Sequence, residues 1–238
     1  MQAFRELDRV LRGEARFNDP RVAMPLWPLL RVNAVLAAAY GVCMGVYGLL
    51  GPDGTEWRQV VAGAVKVPAL FLLTLLVTFP SLYVFNTLLG PRLRLGVFLR
   101  LGVTALSVLT AVLSALGPIT AFFSVTTANY PFVVLLNVAV FTLAGVFGLG
   151  TLRNLLTELT RPGAAGDEFV VLEPANSARK YGVIYAWMVV FALVGGQMSW
   201  ILRPFIGSPD VPFAWLRPRD GSFFEAVLRS AKLLLGAA

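Results

Sequence analysis

The sequence contains no histidine and only one cysteine, Cys43. Without histidine, the chain cannot form histidine metal sites, Ser–His or Cys–His nucleophile pairs, or histidine pH switches. With a single thiol, no disulfide can form within the chain. No phosphate-binding G-x-x-x-x-G-K-[ST] motif follows a strand, and no pair of catalytic acids is visible. We therefore predict a protein that is not an enzyme and that binds no metal or other cofactor.

Charged residues are also scarce, at 14% of the 238 residues, whereas 57% are hydrophobic. A soluble domain carries roughly 25% charged residues, because its surface faces water. No Lys, Arg, Asp or Glu occurs from Leu101 to Leu152, a run of 52 residues. One membrane crossing needs about 20 apolar residues, so this run holds two crossings. The composition therefore predicts an all-α, polytopic helical membrane protein.

The hydrophobic segments predict about five transmembrane helices. The expected organisation is a cytosolic or interfacial amphipathic segment at 1–31, a transmembrane bundle at 32–206 and an interfacial tail at 207–238. The predicted spans cover residues 32–50, 60–89, 95–117, 132–152 and 181–202, and a cytosolic loop covers residues 153–180.

Both ends of the chain predict amphipathic helices that lie at the membrane surface. One face of the N-terminal helix collects four apolar residues, Phe4, Leu7, Val10 and Leu11. In the tail, Ser222 and Glu225 have the spacing of a capping box. They precede a predicted helix over 223–235.

Lysine and arginine near the ends of the spans predict the orientation. Three basic groups fall on one side of a five-span protein. They are six arginines up to Arg31, the pair at 92 and 94, and the basic residues that flank the loop at 153–180. That side is predicted to be cytoplasmic, which places the N-terminus in the cytoplasm and the C-terminus outside. The basic tail departs from this rule, and a last segment that dips without crossing is the alternative.

The net charge of +7 is explained by these juxtamembrane residues. The chain has no clustered basic domain with interleaved stacking aromatics, so no nucleic-acid partner is expected. The richness in Ala, Gly, Leu, Val and Arg is typical of a high-GC bacterium. The expected location is therefore a bacterial inner membrane.

The tail contains the motif Leu-Arg-Pro-x-x-Gly-Ser twice, at 202–208 and 216–222. The residue before a proline is steered away from the helix, so each copy predicts a stop and a turn. The aromatic residues nearby, Trp200, Phe205, Phe213 and Trp215, suit a membrane–water interface. The motif therefore predicts an interfacial elbow that turns at Gly207 and Gly221 and anchors the tail.

A second, compatible interpretation gives the tail a binding role. Arg203 and Arg217 would bind an anionic lipid or the carboxylate of a partner, and Trp200 and Trp215 would contribute contacts.

Lys66 and Arg100 are the charges inside the hydrophobic segments. Each can extend its charged end to an interface, which is called snorkelling, and the alternative is that they line an aqueous path for anions. The uncharged segment Ser124–Pro131 offers Thr126, Thr127 and Asn129 as further candidates for lining a path. A plain turn outside the membrane explains the same segment more simply.

Small residues recur every four positions on three predicted spans, which permits close approach of helices. They are Ala37, Gly41 and Gly45 in span one, Ser107, Ala111 and Ala115 in span three, and Ala192 with Gly196 and Gly195 with Ser199 in span five. We expect close packing within the bundle and between protomers.

Five spans, a cytosolic amphipathic N-terminus, short loops and no catalytic groups resemble the Yip1-type family of small polytopic membrane proteins and its bacterial relatives. The resemblance is one of layout. MPLWPLL, at Met24–Leu30, stands where the family carries an acidic signature of the Asp-Leu-Tyr-Gly-Pro type. The resemblance implies a membrane-organising or trafficking-adaptor role without enzymatic activity.

We therefore expect a non-enzymatic scaffold or accessory subunit of a membrane assembly. Its expected partners are anionic lipids and either further copies of the chain or another membrane subunit. The alternative is a homo-oligomeric ion-conducting pore lined by spans two and three.

Overall fold

A computed structural model describes residues 2–12, 26–50, 57–89, 95–127, 129–159, 177–207, 213–217 and 221–236. All regular secondary structure in these ranges is helical, which confirms the all-α prediction for the described part of the chain. The basic pair at 92 and 94 and most of the predicted loop at 153–180 lie outside the described residues.

Seven α-helices and one short 3-10 helix are described. In chain order they are α1 (Gln2–Leu11), α2 (Leu26–Gly45), the 3-10 helix Val46–Leu50, α3 (Trp57–Leu89), α4 (Leu95–Thr126), α5 (Tyr130–Leu159), α6 (Ser177–Ile201) and α7 (Phe223–Leu234).

Four of these helices contain segments that are long and apolar enough to cross a membrane. The segments are Leu26–Leu49, Trp57–Ser81, Leu99–Thr126 and Tyr130–Leu155. They are consistent with an integral membrane protein. Helix α6 contributes a shorter apolar stretch, Met188–Ile201.

The chain divides into two compact units, each assembled from separate pieces of sequence. Unit 1 consists of Met1–Asn33, Thr74–Leu109 and Gly145–Val194. Unit 2 consists of Ala34–Leu73, Thr110–Ala144 and Gly195–Ala238.

In unit 1, the core is a stretch of α4 that is buried on every side, from Leu101 to Leu109. The Asn33 side chain donates a hydrogen bond to the Val103 carbonyl at 3.2 Å. This bond joins the start of α2 to α4, as expected for a neutral polar residue in an apolar helix. Gly148 of α5 packs against α4, because a Cβ there would lie 3.1 Å from the Ala105 carbonyl oxygen.

In unit 2, glycines bring α2 and α3 into backbone contact. A Cβ on Gly41 would collide with the Gly63 carbonyl, and a Cβ on Gly63 would collide with the Gly41 carbonyl. One turn later, a Cβ on Gly45 would lie 2.7 Å from the Val60 Cα. Ala37 is buried on the same face. The prediction that this stripe permits close helix approach is confirmed.

Helix α4 continues to Thr126 and does not stop at Gly117 as predicted. Pro118 directly follows the predicted end, and the residue before a proline disfavours the helical region. In unit 2, a Cβ on Gly117 would lie 3.1 Å from the Cys43 sulfur, so α4 packs directly on α2 here. Thr120 and Ser124, further along the helix, are also fully buried. Tertiary packing of this face therefore sustains the helix through the proline.

Helix α2 begins at Leu26, before the predicted span start at residue 32. Pro28 lies in its first turn, where a proline is tolerated because the N–H of that residue has no intrahelical partner. The proline therefore belongs to the start of the helix and does not separate the helix from the preceding segment.

The glycine contact yields a stability prediction. Gly41→Ala places a methyl group against the Gly63 backbone, so we expect it to lower the free energy of unfolding by about 1–3 kcal/mol through overpacking. Gly145→Ala is the matched control, since no atom lies within 4 Å of the added methyl and alanine favours a helix more than glycine. The measurement is the melting temperature of each variant in mild detergent. Equal melting temperatures would contradict the proposed contact.

Candidate functional site

After α6 ends at Ile201, the chain turns back into unit 2 as the inserted segment, Pro204–Gly207. All four of its residues are buried. Its end lies against the 3-10 helix, because a Cβ on Gly207 would come within 2.9 Å of the Gly48 Cα. The first copy of the repeated motif therefore forms part of the interior of unit 2.

The structure adds two details to the elbow prediction. Phe205 is only 8% exposed, so its ring packs inside the unit. Gly207 is present because two backbones approach closely, and its φ does not require a glycine. The motif by itself gave no sign that this segment would be covered.

Side chains of α3 donate hydrogen bonds to the buried carbonyls of the inserted segment. Gln59 Nε2 lies 3.2 Å from the Pro204 carbonyl oxygen and 2.7 Å from that of Phe205. Lys66 Nζ lies 2.9 Å from the Pro204 carbonyl oxygen. Buried backbone outside a helix requires such partners, because an unpaired carbonyl away from water is costly.

Gln59 was not among the predicted site residues, although its spacing from Lys66 was a usable signal. Gln59 and Lys66 are seven residues apart, which is about two helical turns and places them on one face of α3. Two long hydrogen-bond donors on one face of a largely apolar helix indicate a polar partner opposite that face.

Lys66 is buried, with 4% of its surface exposed. Both the snorkelling interpretation and the path-lining alternative stay predictions. Its ammonium lies under the Pro204 carbonyl and 6.0 Å from the centre of the Trp215 ring. Among the described residues, no carboxylate forms a salt bridge with it. The cation is held inside unit 2 by a carbonyl and an aromatic ring.

Two arginines from the repeated motif share this neighbourhood. Arg217 lies within electrostatic range of Lys66, and both Arg203 and Arg217 lie within range of the Tyr130 hydroxyl. The Tyr130 ring in turn packs against Tyr47, with centroids 5.9 Å apart. We call Lys66, Arg203 and Arg217 the cationic cluster.

Trp200 contacts both copies of the repeated motif in the tail. The Arg203 guanidinium lies 3.7 Å from the centre of the Trp200 ring. The indole N–H of the same residue donates to the Gly221 carbonyl at 2.9 Å. Two of the tail residues of the binding prediction, Trp200 and Arg203, thus contact each other, and a third, Trp215, lies beside Lys66, which was predicted to snorkel or to line a path.

The second copy of the motif begins α7. Gly221 has φ +78°, a conformation that favours glycine. Ser222 and Glu225 form the predicted capping box, with hydrogen bonds of 2.9 and 3.3 Å. The Phe223 ring packs on Gly196 of α6, 3.3 Å from where a Cβ would lie. The two copies therefore have different structural roles, one as buried backbone and one as a helix start.

The remaining candidates for lining a path form a helix end and a cap. Thr126 donates to the Phe122 carbonyl at 2.9 Å, and the Thr127 N–H donates to the Phe123 carbonyl at 3.0 Å. Asn129 accepts a hydrogen bond from the Phe132 N–H at 3.1 Å and caps α5. These hydrogen bonds belong to the end of α4 and the start of α5.

Arg100, the other charged candidate for lining a path, belongs to unit 1, where it is half-buried. Its carbonyl accepts a hydrogen bond from the Thr104 hydroxyl at 2.8 Å.

No protein-family model, curated protein or solved structure matches this chain. The resemblance to the Yip1-type family stays a prediction based on layout.

The carbonyl contacts lead to a prediction for Gln59. Gln59→Leu removes two hydrogen bonds and leaves the Phe205 carbonyl without this donor, so we expect a loss of about 1–3 kcal/mol in the free energy of unfolding. Gln197→Leu, at an exposed position of α6, is the control and should leave stability unchanged. Thermal unfolding in detergent measures both. A Gln59→Leu protein as stable as the control would disprove the role assigned to this side chain.

The capping box leads to a prediction for α7. Ser222→Ala removes the side-chain acceptor of the cap and should destabilise the helix by about 1 kcal/mol. Amide hydrogen exchange in the first turn of α7 should become faster. Ser230→Ala, within the same helix, serves as the control. Equal exchange in the two variants would show that the cap contributes nothing.

Proposed function

We propose that this chain is a non-enzymatic integral membrane protein that serves as a scaffold or accessory subunit of a membrane assembly. The observation that supports this proposal is that Lys66 forms its hydrogen bond inside the protein. Its ammonium binds the backbone of the inserted segment and is covered by it. A cation that holds the fold together in this way favours a structural role over a role in lining an ion path.

We also propose that the chain crosses the membrane five times, with α6 as the fifth crossing. In unit 2, four chain segments meet at one end. The 3-10 helix contributes Tyr47, α3 contributes Gln59, α5 begins at Tyr130, and the chain after α6 contributes Pro204. If α2 to α5 alternate in direction across the bilayer, α6 must cross it to reach this end.

The proposed orientation places the N-terminus in the cytoplasm of a bacterium and the cationic cluster at the outer face of the inner membrane. The distribution of lysine and arginine supports it. The amphipathic helices α1 and α7 would then lie at opposite membrane surfaces.

The spans have apolar surface available for a partner. Only 28% of the most apolar part of α5 is buried, and the exposed residues include Leu143, Val146 and Phe147. Lipid covers such a surface in a monomer, and a neighbouring subunit covers it in an assembly. This surface supports a role within a larger membrane complex.

The scaffold role can be tested by the mass of the intact complex in mild detergent. We expect the chain together with a different membrane subunit at fixed stoichiometry. In liposomes of the chain alone, we expect no ion flux that depends on Lys66 or Arg100. A ring made of this chain only, with flux whose ion selectivity changes in Lys66→Glu or Arg100→Glu, would replace the scaffold with the homo-oligomeric pore.

A further inference from the structure

Helix α7 contacts unit 2 along one face. The Phe223 ring packs on Gly196 of α6, 3.3 Å from where a Cβ would lie, and Val227, one turn later, is half-buried. No residue of this helix is buried. The rest of its surface therefore remains open to something outside the described part of the chain.

A strip of large apolar side chains lies beside this face and is exposed. It consists of Phe224 and Leu228 of the helix and Leu235 directly after it. They are four and seven residues apart, which places them on one side of the helix. Leu228 is 62% exposed and Leu235 is 82% exposed. Apolar surface of this size is costly in water, so we expect the strip to be covered.

Two cations border the strip. Arg229 and Lys232 are three residues apart, so they lie together on the neighbouring face, on the side away from Phe223. Both are exposed, and neither forms a salt bridge within the part of the chain that the structure describes. An apolar strip bordered by lysine and arginine is typical of a helix that lies in the plane of a membrane surface.

The position of α7 favours lipid as the cover. Its start is fixed to the end of α6, because the Trp200 indole N–H donates to the Gly221 carbonyl at 2.9 Å. At the same end of unit 2, Trp57 begins α3 and is 63% exposed, and Trp215 is also exposed. Exposed tryptophans at the ends of apolar helices are typical of the membrane–water boundary. Helix α7 therefore starts at the depth where headgroups meet acyl chains.

We propose that α7 binds the surface of an anionic phospholipid bilayer. Phe224, Leu228 and Leu235 lie between the acyl chains, and Arg229 and Lys232 lie against the phosphates. Burial of apolar side chains and attraction to anionic headgroups both contribute to such binding. This inference rests on the membrane embedding in the proposed function and not on the scaffold role.

The first experiment measures the depth of single spin labels in nanodiscs of phosphatidylcholine with phosphatidylglycerol. Cys43→Ala removes the single cysteine of the chain, and Leu228→Cys or Arg229→Cys then carries the label. We expect oxygen to relax the label at position 228 more than a water-soluble nickel complex does. At position 229 we expect the nickel complex to be more effective. Phe147→Cys, at an exposed position of the α5 span, is the reference for a label among acyl chains.

The reference separates the inference from the proposal on which it rests. A label at position 147 in lipid with the label at position 228 in water would overturn the inference and leave the membrane embedding intact. Both labels in water would contradict the embedding, and the inference with it. A label at position 228 that is shielded from both reagents would show that protein covers the strip, which also overturns the inference.

The lipid composition tests the two cations. In the protein labelled at position 228, Arg229→Gln together with Lys232→Gln should lower the ratio of inserted to water-exposed label. We expect about a fivefold loss for each charge in nanodiscs with phosphatidylglycerol, since each basic residue is attracted to an anionic surface. In phosphatidylcholine alone, the ratio should not change. An unchanged ratio in both lipids would overturn the contact with anionic headgroups. Because the label is on this chain, the result is independent of whether the complex contains a second kind of subunit.

Discussion

The arrangement of unit 2 depends on the need to satisfy buried backbone carbonyls outside a helix. Pro204 and Phe205 carry their carbonyls into an apolar interior, and Gln59 and Lys66 of α3 bind them there. An unsatisfied carbonyl in such surroundings costs a large part of the stability of a protein. This requirement accounts for the presence of Gln59 and Lys66 on a largely apolar helix. It also holds the chain after α6 against α3.

Close helix packing makes room for this segment. Gly41 and Gly63 let α2 and α3 touch through their backbones, and the contact continues along α2 to Gly48 of the 3-10 helix. At Gly48 the inserted segment meets α2 and α3 together, through Gly207 and Gln59. The stripe of small residues predicts close helix packing. The same packing leaves space for the inserted segment, which is not helical.

The chain after α6 returns to unit 2 beside a buried lysine of α3. Lys66 and two arginines of the tail are brought together by the turn after α6, although Lys66 and Arg217 are far apart in the sequence. Carbonyl and aromatic contacts hold the tail here, because Lys66 donates to the Pro204 carbonyl and Arg203 stacks on Trp200.

The sequence by itself determined the helical class, the apolar segments, the glycine stripe of α2 and the capping box of α7. These features depend on composition and on spacings of three or four residues, which act within one helix or between neighbours. Only the tertiary structure decided that α4 continues through Pro118, that Phe205 is buried and that Lys66 binds the Pro204 carbonyl. Each of these depends on contacts between residues distant in the chain. The conformational preferences of neighbouring residues do not predict such contacts. The two copies of Leu-Arg-Pro-x-x-Gly-Ser illustrate the difference, because identical local signals lead to a buried segment in one place and a helix start in the other.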